Sequence, residues 1–196
     1  MPNTQTAPAY VTCQEERFRL YIDEARLQAR VQELGAEISA TYAGKRPILV
    51  GVLNGAFIFL ADLMRSITVD CEVDFLKLSS YGDRKVSSGN VEELKSLDAQ
   101  IQGRHVLIVE DIVDTGLSMQ YMMSRLAAAK PASLASAVLL HKPDAAKVEV
   151  QLDYVAFSIP NLFVLGYGLD YGQLGRNLPA VYILDESASG LGEGDQ

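Results

Sequence analysis

The sequence has no tryptophan, only two cysteines and only two histidines. Cys13 and Cys71 lie far apart and show no metal-ligand spacing. They read as thiols of a reducing compartment, with neither a disulfide nor a zinc site implied. His105 begins an apolar run and His141 ends another, so no Ser-His-Asp arrangement can be argued from them. Positive charge is scarce: 17 Lys and Arg stand against 25 Asp and Glu, a net charge of -8. With no basic stretch, nucleic acid is not expected as a partner. A polyanionic ligand would have to be met by metal ions and backbone amides. Long apolar runs are missing too. The most apolar stretch, Ile48 to Leu60, is too short to span a bilayer and contains Asn54 and Gly55. Met1 to Tyr10 has neither a basic start nor an apolar centre, so no secretory leader is expected. The expectation is a cytoplasmic protein with no membrane partner.

What is present suits a globular chain. Of 196 residues, 48% are hydrophobic and 21% charged, enough to bury one core. The first 16 or so residues are polar and expected to be loose. Phe18 to Ile22 suits a short strand, and Asp23 is a natural N-cap. Leu27, Val31, Leu34 and Ile38 then recur at helical spacing until Gly44. Ile48 to Leu53 is a continuous apolar run of the kind found in strands buried on both faces, and Phe57 to Met64 reads as the following helix. Val69 to Leu78 is a second such strand, with alternation at Val73, Phe75 and Leu78. His105 to Val109 and Leu134 to Leu140 are further strands, with a helix at Ser118 to Ala129 between them. Tyr154 to Ile159, Phe163 to Tyr167 and Ala180 to Leu184 are shorter strands. Ser79 to Gln102 is polar and lacks a sustained apolar pattern, as expected of a functional lid. Residues 187–196 read as a frayed tail. There are no internal repeats.

Apolar strands alternating with helices predict an α/β fold with a twisted, mostly parallel sheet covered on both faces. Ligands of such sheets bind beyond the carboxyl ends of the strands. Chemistry is therefore expected just after Leu53, Leu78, Val109 and Leu140.

One of these places is distinctive. After Val109 come Glu110 and Asp111, then Ile112, Val113 and a third acid, Asp114, followed by Thr115-Gly116-Leu117-Ser118 opening a helix. Free amides and small hydroxyls at a helix start favour a phosphate. Acids beside it suit a hard cation and sugar hydroxyls. A lone Asp114 or Ser118 would read as a simple helix cap, but consecutive carboxylates at the end of an apolar strand are expensive without a cation or a ligand.

This run resembles the phosphoribosyl pyrophosphate (PRPP) motif of type I phosphoribosyltransferases, and further segments resemble the hypoxanthine-guanine branch. Val52-Leu53-Asn54-Gly55-Ala56 resembles the pyrophosphate loop, where relatives often have a non-proline cis peptide. Ser79-Ser80-Tyr81-Gly82 resembles the start of a mobile lid. Leu139-Leu140-His141-Lys142-Pro143 resembles the segment whose lysine reads the purine. Phe163 to Tyr171, then Arg176, resembles the C-terminal hood. The resemblance implies one phosphoribosyltransferase domain over 1–196, with a hood from about 10–25 and 155–186 and a flexible lid at about 79–102. It also implies a purine-salvage transfer of the phosphoribosyl group of PRPP to hypoxanthine or guanine, giving IMP or GMP and pyrophosphate.

The roles it implies are specific. Leu53, Asn54 and Gly55 would hold pyrophosphate, through backbone at Asn54, where many relatives have lysine. Glu110 and Asp111 would hold the ribose hydroxyls and Mg²⁺, with Asp170 serving a second metal ion. Asp114, Thr115, Gly116, Leu117 and Ser118 would cradle the 5-phosphate by amides and hydroxyls, since Leu117 replaces a lysine of some relatives. Asp114 would also be the general acid/base. An aspartate, whose unperturbed pKa is about 3.9, is in general a weak base at neutral pH, so the site would have to exclude water. Tyr81 would close over the reacting centre. Arg176 would help to neutralise pyrophosphate, because Asp144, Ala145 and Ala146 stand where some relatives have arginines. Lys142, Phe163, Val164 and Asp170 would meet the purine. A homodimer or homotetramer is implied, with the apolar helix from Ala56 to Met64 as a contact. Hypoxanthine, guanine and xanthine are not separated by these motifs. A PRPP-sensing regulator is disfavoured, since such proteins add a DNA-binding module or a basic face.

Overall fold

The computed structural model describes residues 7–80 and 91–186. In chain order the elements are β1 (Tyr10–Cys13), β2 (Glu16–Ile22), α1 (Glu24–Thr41), β3 (Ile48–Leu53), α2 (Phe57–Ser66), β4 (Glu72–Ser80), β5 (Val91–Lys95), β6 (His105–Val113), α3 (Leu117–Ala127), β7 (Ser133–His141), β8 (Tyr154–Ser158), β9 (Val164–Leu165) and β10 (Val181–Leu184). The chain divides into two compact units, Arg30–Asn161 and Met1–Ala29 with Leu162–Gln196.

The larger unit carries a sheet in the order β5-β4-β3-β6-β7-β8. Every pairing is parallel except that of the edge strand β5 with β4. The central strands are the continuous apolar runs, buried on both faces. Ile48, Val50 and Val52 of β3 pack with Val106 and Ile108 of β6, Val138 of β7 and Met119, Met122 and Leu126 of α3. The edge strand β8 is protected from further pairing by Arg30, whose guanidinium donates to the carbonyls of Val155 and Ala156 at 3.1 and 3.3 Å. α1 begins as its spacing predicts. The Asp23 carboxylate accepts the Arg26 N–H at 2.8 Å, and Leu27, Val31, Leu34 and Ile38 are all fully buried.

The smaller unit has an antiparallel sheet in the order β1-β2-β10-β9. Its core gathers Cys13, Phe18, Leu165, Ala180 and Tyr182. Both cysteines are free. No helix among the described residues is long and apolar enough to cross a membrane.

Four expectations need correction. Tyr10–Cys13 is not loose but pairs with Glu16–Arg19 in a hairpin. Its turn is closed by Gln14 at a φ of 55°, a conformation that the sequence around it does not advertise. In β4 the Val73 position faces solvent while Asp74 and Leu76 are buried. An acid tolerates that burial because it is satisfied: Asp74 accepts the N–H groups of Phe75, Asp98 and Ala99 at 2.7–2.8 Å and the Lys95 ammonium at 3.4 Å. The polar segment Ser79 to Gln102 is not without regular structure but contains β5, paired with β4. Tyr81 lies outside the described residues. Finally, β6 does not stop at Val109 but continues to Val113, so that Glu110 and Asp111 belong to the strand.

Tyr182 is fully buried, and its hydroxyl has no hydrogen-bond partner among the described residues. An unsatisfied buried hydroxyl costs about 1–3 kcal/mol. Tyr182→Phe is expected to raise Tm by about 2–4 °C per kcal/mol recovered in thermal unfolding. A lowered Tm would mean that the hydroxyl is satisfied.

Candidate active site

The site is built at the carboxyl ends of β3, β6 and β7, where the parallel ladder places side chains from distant parts of the larger unit next to one another. Glu110 pairs in register with Val138, Ile112 with Leu140 and Val113 with His141.

At the end of β3 the Leu53–Asn54 peptide is cis, as the resemblance implied. The loop turns at once into α2, with Ala56 N–H donating to Val52 O at 3.2 Å. Gly55 faces the Asp111 carboxylate so closely that a β-carbon at position 55 would overlap it. The loop after β3 and the acids of β6 are thus neighbours, and the absence of a side chain at 55 makes that possible.

Within β6, Glu110 is 8% exposed. Burial, reinforced by the charge of Asp111 and a hydrogen bond to it, raises the Glu110 carboxyl well above the usual carboxylate range. Asp111 accepts the Ile112 N–H at 2.9 Å. Two acids that repel each other at a half-dry strand end have the chemistry that could hold a hard dication. Mg²⁺ takes one or two protein carboxylates and completes its shell from substrate oxygens and water. Among the described residues no group of three or more His, Cys, Asp or Glu comes together.

The turn from β6 to α3 is the structural centre of the site. Asp114 is exposed, and its carboxylate accepts the Thr115 N–H. Gly116 is the N-cap of α3, left-handed at φ 79°, with no side-chain cap hydrogen bond. The first-turn amides and the Ser118 hydroxyl are therefore not claimed by a capping side chain, the condition under which a helix start binds an anion. From the other side the turn is held by a segment that carries no motif. Thr115 O accepts the N–H groups of Lys147 and Val148 at 3.0 and 3.2 Å. A β-carbon at Gly116 would sit 2.7 Å from Val148 O. Gly116 is thus required by its left-handed backbone and by the close approach of Val148. A cavity of about 420 Å³ lies between this segment and the turn, lined by Val113, Asp114, Gly116, His141, Lys147 and Val148 among others.

Lys142 follows β7. Its N–H donates to Val113 O at 2.9 Å, and the side chain is buried to 8% exposure. Burial lowers the ammonium pKa, and the nearby charge of Asp114 offsets part of that shift. The structure therefore brings Lys142 and Asp114 within electrostatic reach, though 28 positions part them in the sequence.

The remaining candidates lie in the smaller unit. Phe163 is 47% exposed, while Val164 is buried in β9. Asp170 forms an ion pair with Arg176 at 2.6 Å and accepts the Gln173 N–H at 2.8 Å. Arg176 also donates to Gly168 O at 2.8 Å. In this state Asp170 and Arg176 neutralise one another. Sequence reasoning missed three supports: Val148 behind the turn, Asp74 as the anchor of Asp98 and Ala99, and Arg176 as a brace of its own loop. The first two act through backbone amides and leave no motif. The third had a signal, since Asp170 and Arg176 fall within one short glycine-rich segment.

A mostly parallel sheet with an acid pair inside β6 and a glycine-started helix behind it is the arrangement of a phosphoribosyl transferase domain, and the family of that description matches residues 21–172. A hypoxanthine-guanine phosphoribosyltransferase of Bacillus subtilis is 43% identical over 166 residues, 85% of this chain and 92% of that protein. A bifunctional TilS/HprT protein of Listeria monocytogenes is 44% identical over 166 residues, 85% of this chain. The chain spans only 26% of that longer protein's length. A solved hypoxanthine phosphoribosyl transferase of Trypanosoma cruzi matches with a TM-score of 0.83 at 38% identity, covering 91% of this chain and 97% of that one. The chain belongs to the hypoxanthine-guanine phosphoribosyltransferase family.

Two substitutions should move stability in opposite directions. Gly116→Ala forces a side chain into a left-handed position that costs about 1–2 kcal/mol by itself, with the contact to Val148 O added, so Tm should fall by at least about 2–4 °C. Lys142→Met removes an ammonium held below its ordinary pKa. The unfolded chain binds that proton more readily, so at neutral pH the native state carries a penalty that disappears in the variant. Its Tm should rise by about 2–4 °C per kcal/mol relieved, and the gain should shrink as the pH approaches the ordinary lysine pKa. A Gly116→Ala protein as stable as the parent, or a destabilised Lys142→Met, would contradict these readings.

Proposed function

We propose that this protein transfers the 5-phosphoribosyl group of PRPP to hypoxanthine and guanine, releasing pyrophosphate and forming IMP and GMP. The observation that carries the reading is a buried Lys142 within electrostatic reach of Asp114, beside the uncapped start of α3. In this reading Lys142 would supply the base-reading cation, Asp114 the proton acceptor and the start of α3 the phosphate cradle.

The roles follow from the chemistry. The amides of Thr115, Gly116, Leu117 and Ser118, with the Thr115 and Ser118 hydroxyls, hold the 5-phosphate and fix the sugar. Glu110 and Asp111 accept hydrogen bonds from the ribose hydroxyls. The backbone of Leu53, Asn54 and Gly55 meets the pyrophosphate, and Arg176 adds positive charge once pyrophosphate competes with Asp170 for it. Mg²⁺ held by Glu110 and Asp111, with Asp170 for a second ion, would stabilise the charge of the departing pyrophosphate. Lys142 donates to the 6-oxygen of the base, Phe163 stacks on its face, and Val164 and Asp170 offer backbone contacts. Asp114 takes the purine proton, and Tyr81 shields the sugar carbon from water.

We read the chain as a single catalytic domain, with 10–25 and 155–186 as hood and 79–102 as lid. It would act in the cytoplasm, where Cys13 and Cys71 stay reduced. A homo-oligomer is inferred from the face of α2, where Phe57 and Met64 are 43% and 39% exposed with Ala61 exposed between them. A dimer or tetramer would cover that stripe.

The test is the initial rate with hypoxanthine, guanine, xanthine and adenine at saturating PRPP, with Mg²⁺ or with EDTA. Lys142 has three donors and no acceptor, so it satisfies a 6-oxo group and opposes a 6-amino group. A site built on a required polar partner rejects the wrong analogue by roughly 10⁴-fold. Hypoxanthine and guanine should react, adenine should be slower by about that factor, and EDTA should abolish turnover. Efficient use of adenine, or full turnover in EDTA, would overturn the reading.

A further inference from the structure

The face of an exposed aromatic ring is useful to a flat ligand only if the ring is already held at the right tilt. Phe163 is 47% exposed, yet its flank is not free. Tyr171 meets it at a centroid separation of 5.5 Å and an interplanar angle of 80°, an edge-on contact. Phe18, fully buried, lies 6.1 Å from Phe163 and 6.0 Å from Tyr171, tilted against both. The three rings form a closed triangle with one member turned to solvent. Tyr171 is itself fixed at the backbone. Its N–H donates to Leu174 O at 3.0 Å, and its carbonyl accepts Leu174 N–H at 3.2 Å and the Gln14 side-chain amide at 3.3 Å. The Cys13 thiol approaches the same carbonyl at 4.0 Å. The turn of the β1–β2 hairpin thus anchors the residue that braces Phe163.

We propose that Tyr171 and Phe18 are positioning residues for purine binding: they lock the Phe163 ring so that the base stacks on a preformed face. The inference rests on the stacking role given to Phe163 above. Aromatic pairs prefer edge-on or offset geometry, and a ring so held loses little rotamer freedom when a ligand covers it. Without its brace, Phe163 would have to be ordered by the base at the expense of affinity. The same stack exists in the bound and reacting states, so the effect belongs to base KM and not to kcat.

The test uses the full-length protein and steady-state kinetics with hypoxanthine. Tyr171→Leu is expected to raise the KM for hypoxanthine by about 3- to 10-fold, with kcat and the KM for PRPP within about twofold of the parent. Tyr171→Phe, which keeps the ring, should retain the parent KM. In a Phe163→Leu background, Tyr171→Leu should add nothing, since its effect passes through the missing ring. If Tyr171→Leu does not fold, Tyr171→Met, of similar bulk but without a ring, is read in the same way. A parent-like hypoxanthine KM in these variants, an additive effect in the Phe163→Leu background, or an equal loss in PRPP KM would overturn the inference. Phe163→Leu by itself reports on the underlying reading. If that variant keeps the parent KM, Phe163 does not stack on the base, and the brace loses its purpose with it.

Discussion

The turn between β6 and α3 constrains everything around it. The chain must leave a sheet strand, present an acid and a threonine, and enter a helix within three residues. It does so through a left-handed Gly116, and Thr115 O is clamped by two amides from the Lys147–Val148 segment. Because that segment begins just after Lys142, the residue proposed to read the base and the turn proposed to hold the phosphate are tied to one stretch of backbone. Lys142 N–H is itself bonded to Val113 O, on the strand that feeds the turn. Movement at one end would be felt at the other.

Charge is used sparingly, and its placement decides the chemistry. The chain carries a net charge of -8, yet its proposed ligand is a polyanion. In the proposed function the acids at the strand end therefore serve as cation and hydroxyl acceptors, while phosphate recognition falls to neutral amides at a helix start. Glu110 and Lys142 are both pushed toward their neutral forms by burial. The same economy appears in the smaller unit, where Asp170 and Arg176 compensate each other until a ligand offers either of them something better.

Much of this was legible in the amino-acid sequence. The continuous apolar runs marked β3, β6 and β7, because strands buried on both faces need no alternation. The spacing of Leu27, Val31, Leu34 and Ile38 marked α1, and the acids before Thr115-Gly116 marked the turn into α3. These features are local: each depends on residues within one element or one turn. What escaped notice was satisfied at a distance. Asp74 looks like a misplaced acid in an apolar strand until Asp98 and Ala99 return to it. Tyr10–Cys13 looks polar and loose until β2 pairs with it. β6 appears to end at its first acid, although the ladder to β7 carries it on to Val113.

The sequence by itself determined the order of the central strands and helices, the class of fold and the family, because periodicity and short motifs are written in neighbouring residues. Only the tertiary structure decided which charges face each other and which rings hold one another. Lys142 meets Asp114 because β6 and β7 are parallel neighbours ending at the same level. Phe163 is braced by Tyr171 and Phe18 because two antiparallel strands from opposite ends of the chain, β2 and β10, pair side by side. Desolvation, electrostatic coupling and ring geometry depend on distance in space, and distance in sequence carries no record of it.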